Sequence, residues 1–129
     1  MSRIALPLLL IAALATTAAA QRHGDPRVQA HYDAALAGLK PGAPQQCIRR
    51  DRVTEVLPFG DVVLFREGRS KVWRNTLASR CAGLQRGDTM VTESMGGRYC
   101  AGDHVTTHAP VGRYLTGSCT LGDFVPFAR

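Results

Sequence analysis

The stretch VVLFREGRSKVWR, residues 62–74, decides the fold class of this chain. The four apolar residues from Val62 to Phe65 are typical of a buried strand, and Glu67 to Ser70 has the composition of a turn. Lys71 to Arg74 supplies the second strand of a hairpin. The centre of the sequence therefore predicts antiparallel β structure.

Similar short strands are predicted on both sides of this hairpin, separated by turns that contain glycine or proline. They cover residues 53–57, 89–93, 99–100, 104–107, 113–115 and 119–121. Residues 75–84 are interpreted as a loop or a single helical turn that carries Cys81. Short strands at this spacing predict a mainly β fold, a small antiparallel sandwich or barrel-like domain.

Two residues near the hairpin are interpreted as structural. Trp73 is the only tryptophan in the chain, and a single tryptophan on a strand is more often packed in a core than exposed as a binding face. Asn75 is expected to hold a turn by hydrogen bonding to backbone groups.

A short amphipathic helix is predicted before the strands. Asp25 is a favourable N-cap residue, Pro26 suits the first helical position, and Val28, Tyr32 and Leu39 recur at helical spacing. We therefore divide the chain into an N-terminal helix and linker at residues 21–46 and a β-rich domain at residues 47–129. The helix either packs on this domain or remains a loosely held arm.

The first 20 residues have the pattern of a secretory signal peptide. Arg3 precedes an apolar run over residues 4–15, and Ala18 to Ala20 matches the small residues that signal peptidase accepts. An apolar run of about a dozen residues is shorter than the roughly 20 that span a bilayer, so no transmembrane segment is expected. We predict a periplasmic or secreted protein, cleaved near Ala20.

Four cysteines lie beyond the signal peptide. An even number of cysteines in an exported domain predicts two disulfides, and four cysteines allow three pairings. The pairing that we favour joins Cys81 to Cys100, which closes a local loop of about 20 residues, and Cys47 to Cys119, which ties the ends of the domain.

The chain is basic, and nearly all of its positive charge is arginine. When Arg3 is removed with the signal peptide, 15 basic and 10 acidic residues leave a net charge of +5. This balance favours weak attraction to polyanions such as acidic glycans, phosphorylated lipid surfaces or nucleic acid. Asp51 interrupts the densest cluster, residues 49–52, and aromatic residues are sparse, so a dedicated nucleic-acid module is not expected.

The stretch RYCAGDHVTTH, residues 98–108, concentrates side chains that bind metals or move protons. Cys100, His104 and His108 are spaced four apart, which places them on one face of either a strand or a helix. An oxidised cysteine is a poor zinc ligand, however. The alternative is a disulfide cysteine followed by a turn and a half-exposed strand, with no metal and no cofactor.

A catalytic set is the second interpretation of this stretch. Asp103 and His104 could act with Ser94, Ser118 or Thr120 as the nucleophile, but the sequence has no nucleophile elbow. Asp103, after a glycine, is better explained as a turn residue whose carboxylate caps backbone amides.

A longer pattern resembles a family of small exported bacterial proteins classed only as a domain of unknown function. The motifs are CIRRDRV (47–53), VLFREG (63–68), VWRNTL (72–77), CAGL (81–84), YCAGDHV (99–105) and SCTLGDFVPF (118–127). Ala82 replaces the family's usual proline, and Trp73 replaces its usual tyrosine or phenylalanine. The resemblance implies a signal peptide and a short β-rich domain with paired cysteines, and no substrate, cofactor or catalytic residue.

These observations predict a non-catalytic binding or structural module of the cell envelope with a weak preference for polyanionic partners. One alternative is a periplasmic inhibitor of a secreted enzyme, acting through an exposed loop such as Glu93 to Arg98. Another is a small metal-dependent or hydrolytic enzyme that uses Asp103, His104 and His108.

Overall fold

The structure, a computed structural model, describes residues 25–129. The predicted signal peptide at residues 1–20 and its cleavage near Ala20 lie outside the described residues. Within residues 25–129, no helix is long and apolar enough to cross a membrane.

The described chain is mainly β, as the sequence predicts. Its helices are α1 (Pro26–Leu36) and α2 (Ala82–Gln85), with a 3-10 turn at Arg50–Arg52. Its strands are β1 (Lys40–Pro41), β2 (Cys47–Arg49), β3 (Glu55–Phe59), β4 (Val62–Glu67), β5 (Lys71–Thr76), β6 (Thr89–Glu93), β7 (Arg98–Cys100), β8 (His104–His108), β9 (Leu115–Thr120) and β10 (Phe124–Ala128).

The strands form three antiparallel sheets. The largest has the order β1-β10-β5-β4-β3, and β6-β8-β9 and the β2-β7 ribbon form the other two. The β4–β5 hairpin lies within the large sheet, with Phe65 opposite Trp73. The predicted hairpin is therefore confirmed, and its strands extend to Glu67 and Thr76. The two short strands predicted near residues 113–121 are a single strand, β9.

The main core lies between the large sheet and the two smaller sheets, which makes the fold a sandwich. Its buried residues are Ile48, Val63, Phe65, Trp73, Leu77, Cys81, Leu84, Val105, Cys119, Leu121 and Phe124. Trp73 is packed here, as predicted, and its Nε1 donates a hydrogen bond to Glu67 Oε2 at 2.7 Å. Alternate residues of β4 and β5 supply this core because side chains on a strand alternate between faces.

Helix α1 covers the opposite face of the large sheet, so it is packed and is not a loose arm. The Asp25 carboxylate accepts from the backbone N–H of Arg27 at 2.8 Å, which confirms the predicted N-cap. Tyr32 packs edge-on against Phe59, with ring centroids 5.6 Å apart. These side chains join a second, smaller core centred on Leu64, Val72 and Phe127.

The segment expected to be a linker adds to the large sheet. Lys40 and Pro41 form β1 against β10, and Gln45 bridges Phe124. Lys40, Pro41 and Gln45, within the expected linker, therefore pair with a strand of the β-rich domain.

Strand β10 was not predicted, because it contains Pro126 and proline removes a donor from the hydrogen-bond ladder. In the structure, the Pro126 carbonyl accepts from Gly42 N–H at 2.7 Å. The N–H and C=O of one strand residue point to the same side, so the donor missing at Pro126 would have faced Gly42 and not β5. The ladder between β10 and β5 is therefore intact.

All four cysteines form disulfides, but the pairing that we favoured from the sequence is wrong. Cys47 is bonded to Cys100 and Cys81 to Cys119. The short loop between Cys81 and Cys100 suggested a local bridge. The sheets instead place Cys100 directly opposite Cys47 in the β2–β7 ribbon.

Candidate functional site

Arginines from three elements line an open cleft of about 460 Å³. Arg49 in β2 and Arg98 in β7 are cross-strand partners, and Arg50 begins the 3-10 turn that follows β2. We call this site the arginine cleft. It is lined by Arg49, Arg50, Asp51, Gly96, Gly97 and Arg98.

One wall of the arginine cleft is the loop between β6 and β7. Arg50 N–H donates to the Gly97 carbonyl at 3.0 Å, and Arg50 Nη1 donates to Ser94 Oγ at 3.3 Å. Gly96 and Gly97 both have a positive φ, 67° and 70°, a conformation that residues with a side chain rarely adopt. The glycine pair and the Arg50 contacts therefore fix the loop beside the arginines.

The disulfide between Cys47 and Cys100 joins the two strands that carry Arg49 and Arg98. These cysteines lie two residues from Arg49 and Arg98 on the same two strands. Like charges directly opposite each other in an antiparallel pair are destabilising. The disulfide therefore holds together two strands that carry like charges at opposite positions.

The arginine cleft carries uncompensated positive charge. Asp51 forms a two-bond ion pair with Arg49, at 3.0 Å to Nε and 2.6 Å to Nη2. The hydrogen bond from Arg49 lowers the pKa of Asp51, and the hydrogen bond to Asp51 raises the pKa of Arg49. Within residues 25–129, neither Arg50 nor Arg98 has a carboxylate oxygen within 4.0 Å.

The predicted metal ligands are not brought together. His104 and His108 share one face of β8, but four residues of strand separate them by about 13 Å. Cys100 is in another sheet and is bonded to Cys47. Residues 25–129 contain no group of three or more His, Cys, Asp or Glu side chains that could hold a metal ion.

The predicted catalytic residues are only partly assembled. Ser118 Oγ lies 3.3 Å from His104 Nε2 on neighbouring strands of the exposed sheet face. Asp103 makes no hydrogen bond to this histidine in the described part of the chain, and its Oδ2 accepts from Cys100 N–H at 2.8 Å. Its predicted role as a turn residue is confirmed. Ser94 is bonded instead to Arg50.

The loop from Glu93 to Arg98, which the sequence suggested for an inhibitor, is also the wall of the arginine cleft. Met95 lies at its tip and is 90% exposed. One loop therefore presents both a large apolar side chain and the edge of a basic site.

The sequence identified the cluster at residues 49–52 but missed Arg98. A signal was present, because Cys47-x-Arg49 and Arg98-x-Cys100 are mirror images. If Cys47 pairs with Cys100 in antiparallel strands, Arg49 must face Arg98. Because we favoured a Cys47–Cys119 bond from the sequence, we did not expect Arg49 and Arg98 to be opposite each other.

Comparison of the chain with known protein families, with curated proteins and with solved structures finds no match. The resemblance to a family of small exported domains therefore stays a prediction, and the arginine cleft must be interpreted from its own geometry.

Proposed function

We propose that the chain acts outside the cytoplasm as a non-catalytic binding module and that the arginine cleft binds a polyanionic component of the cell envelope. The observation that carries this proposal is the pair of neighbouring arginines, Arg50 and Arg98, that lack a carboxylate partner among residues 25–129. An anionic group in the cleft would also relieve the repulsion between Arg49 and Arg98.

The side-chain chemistry favours oxyanions. The guanidinium group presents several N–H donors in a planar fork that matches the oxygens of carboxylate, sulfate and phosphate groups. Asp51 already occupies the fork of Arg49. The ligand groups are therefore expected to bind Arg50 and Arg98 first.

The disulfides support a site of action outside the cytoplasm. Disulfides persist in oxidising compartments and are rare where thiols are kept reduced. The Cys81–Cys119 bond lies in the sandwich core, and the Cys47–Cys100 bond joins the two strands of the β2–β7 ribbon. A periplasmic or secreted location agrees with this chemistry and with the signal-peptide pattern.

The test is a salt titration of binding to dextran sulfate with the wild-type chain and the variants Arg50→Ser and Arg98→Ser. Each variant is expected to bind about three- to tenfold more weakly, and the slope of log affinity against log salt should fall by about one. Arg69→Ser is the matched control, because Arg69 is an exposed arginine in the β4–β5 turn, outside the arginine cleft.

Equal losses in all three variants would show that only the net charge matters and would exclude a defined site. No measurable binding by the wild type at low salt would exclude the polyanion altogether.

A second candidate function, an inhibitor of a secreted enzyme, rests on the exposed Met95. A substrate-like loop needs a protruding side chain on a fixed backbone, and Arg50 fixes this loop at Ser94 and Gly97. Met95→Ser should then abolish inhibition of a target enzyme without changing affinity for dextran sulfate.

A further inference from the structure

Strand β6 is an open sheet edge. It pairs with β8 on one side, and no strand of the described part pairs with its other side. The outer strands of the large sheet differ, because β1 has only two residues, one of them Pro41, and β3 contains Pro58. The far side of β9 is covered at its Thr120 end, since Ala78 N–H donates to the Thr120 carbonyl at 3.0 Å.

The sequence of β6 lacks most of the devices that usually protect an edge, and its one charged residue, Glu93, lies at the end of the strand. Thr89–Glu93 contains no proline, no glycine and no lysine or arginine, and its register with β8 is regular. Every second residue of an edge strand directs its N–H and C=O groups away from the sheet. Val91, at the centre of β6, is also 45% exposed. The strand therefore offers both hydrogen-bonding groups and apolar surface.

We propose that a second copy of the chain occupies this edge, with the two β6 strands antiparallel about a two-fold axis at Val91. The strand is complementary to itself in this register. Val91 faces Val91, Met90 faces Thr92, and Thr89 faces Glu93, so no two like charges are opposed. The two three-stranded sheets then form one continuous sheet of six strands.

The ends of the strand support the same register. In an antiparallel pair, the Thr89 end of one copy lies beside the Glu93 end of the other. Val111, in the loop after β8 that adjoins Thr89, is 82% exposed, and Met95, just beyond Glu93, is 90% exposed. These are the most exposed large apolar side chains of the described residues. Pairing through β6 therefore places Val111 of one copy and Met95 of the other at each end of the interface.

Cysteine cross-linking tests the register directly. Residues opposite each other in antiparallel strands have Cα atoms about 4.5–5.5 Å apart, within the range of a disulfide. Oxidation of folded Val91→Cys should therefore give a covalent dimer on a non-reducing gel. Thr89→Cys is the control, because the two copies of residue 89 would lie about 13 Å apart. Mass analysis confirms that the two native disulfides remain intact.

Sedimentation equilibrium of the oxidised wild-type chain tests the association without cross-linking. The wild type should approach twice the monomer mass as its concentration rises. Val91→Lys places two ammonium groups opposite each other and should raise the dimer dissociation constant at least about tenfold. Val56→Lys is the matched control, since Val56 is 36% exposed on the protected strand β3.

The proposal is overturned if the wild type remains monomeric at every concentration, which is also the result expected if the edge binds a peptide of another protein. It is equally overturned if Thr89→Cys cross-links as well as Val91→Cys, or if Val56→Lys weakens association as much as Val91→Lys. None of these outcomes depends on binding of a polyanion.

Discussion

At the scale of single residues, Asn75 joins two parts of the large sheet. It is completely buried, its Nδ2 donates to the Gly122 carbonyl at 2.7 Å, and its Oδ1 accepts from Gly122 N–H at 2.9 Å. Gly122 is required there, because a Cβ atom would lie 2.2 Å from the Thr76 carbonyl oxygen. The Asn75 side chain thus supplies the backbone of Gly122, in the turn before β10, with the two hydrogen bonds that a neighbouring strand would otherwise provide.

Asn75→Ala is expected to lower the free energy of unfolding by about 2–4 kcal/mol, because two hydrogen bonds are lost and the N–H and C=O of Gly122 remain without a partner. Urea denaturation measures the change. Thr76→Ala, at the exposed next position, is the control and should change stability by less than about 1 kcal/mol. Equal effects of the two substitutions would contradict the role given to Asn75.

Asp51 competes with the proposed ligand for Arg49. Asp51→Asn removes this charge and should strengthen binding to dextran sulfate by about two- to fivefold, as expected for an exposed ion pair. Because the pKa of Asp51 is lowered, the stability from its pair with Arg49 is present above the ordinary carboxyl value and is lost as the pH falls through the lowered value.

Wild-type affinity should therefore rise toward that of Asp51→Asn only as the pH falls through the lowered pKa of Asp51, below the ordinary range of an aspartate, while sulfate esters keep their charge. A wild type that stays weaker than the variant by the same factor at every pH would contradict this competition.

At the scale of elements, the sequence predicted the strands and turns whose patterns lie within a short stretch of the chain. The β4–β5 hairpin was predicted because an apolar run, a turn and a second run follow one another within residues 62–74. Strand β2 was missed because it has only three residues and its partner lies 53 positions along the chain from Cys47. The arginine cleft depends on that pairing, so the sequence showed only the basic cluster at residues 49–52, and no site was predicted there.

The two disulfides are expected to contribute equally to stability but differently to binding. The chain-entropy model gives about 4 kcal/mol for each, since they span 53 and 38 residues. Only the Cys47→Ser, Cys100→Ser double variant should also weaken binding to dextran sulfate, because it releases the ribbon that carries Arg49 and Arg98. The Cys81→Ser, Cys119→Ser double variant is the control, measured under conditions in which both variants are folded.

If the control variant loses as much affinity as the ribbon variant while both remain folded, the ribbon is not the element that organises the arginine cleft.

At the scale of the whole molecule, the described chain has two cores of unequal size. The sandwich core contains eleven buried residues, whereas the core beneath α1 contains three. None of the residues of α1 is itself buried. Since the stability of a segment follows the apolar contacts that it buries, the helix is expected to open while the sandwich remains folded.

Amide hydrogen exchange measures this difference. Backbone amides of α1 should exchange about 100-fold faster than those of β4 and β5 after correction for intrinsic rates. The exposed strand β3 serves as an internal reference for a sheet edge. Equal protection of α1 and the central hairpin would show that both layers unfold as one unit.

The disulfide between Cys47 and Cys100 is also expected to determine when the arginine cleft becomes able to bind a polyanion. A newly made chain still has thiols at these positions, and nothing covalent then opposes the repulsion between Arg49 and Arg98. The arginines are therefore expected to be held firmly in register only once this disulfide has formed. On the proposed location outside the cytoplasm, the binding surface is expected to mature where disulfides form, so anionic molecules in the compartment of synthesis would be bound less tightly.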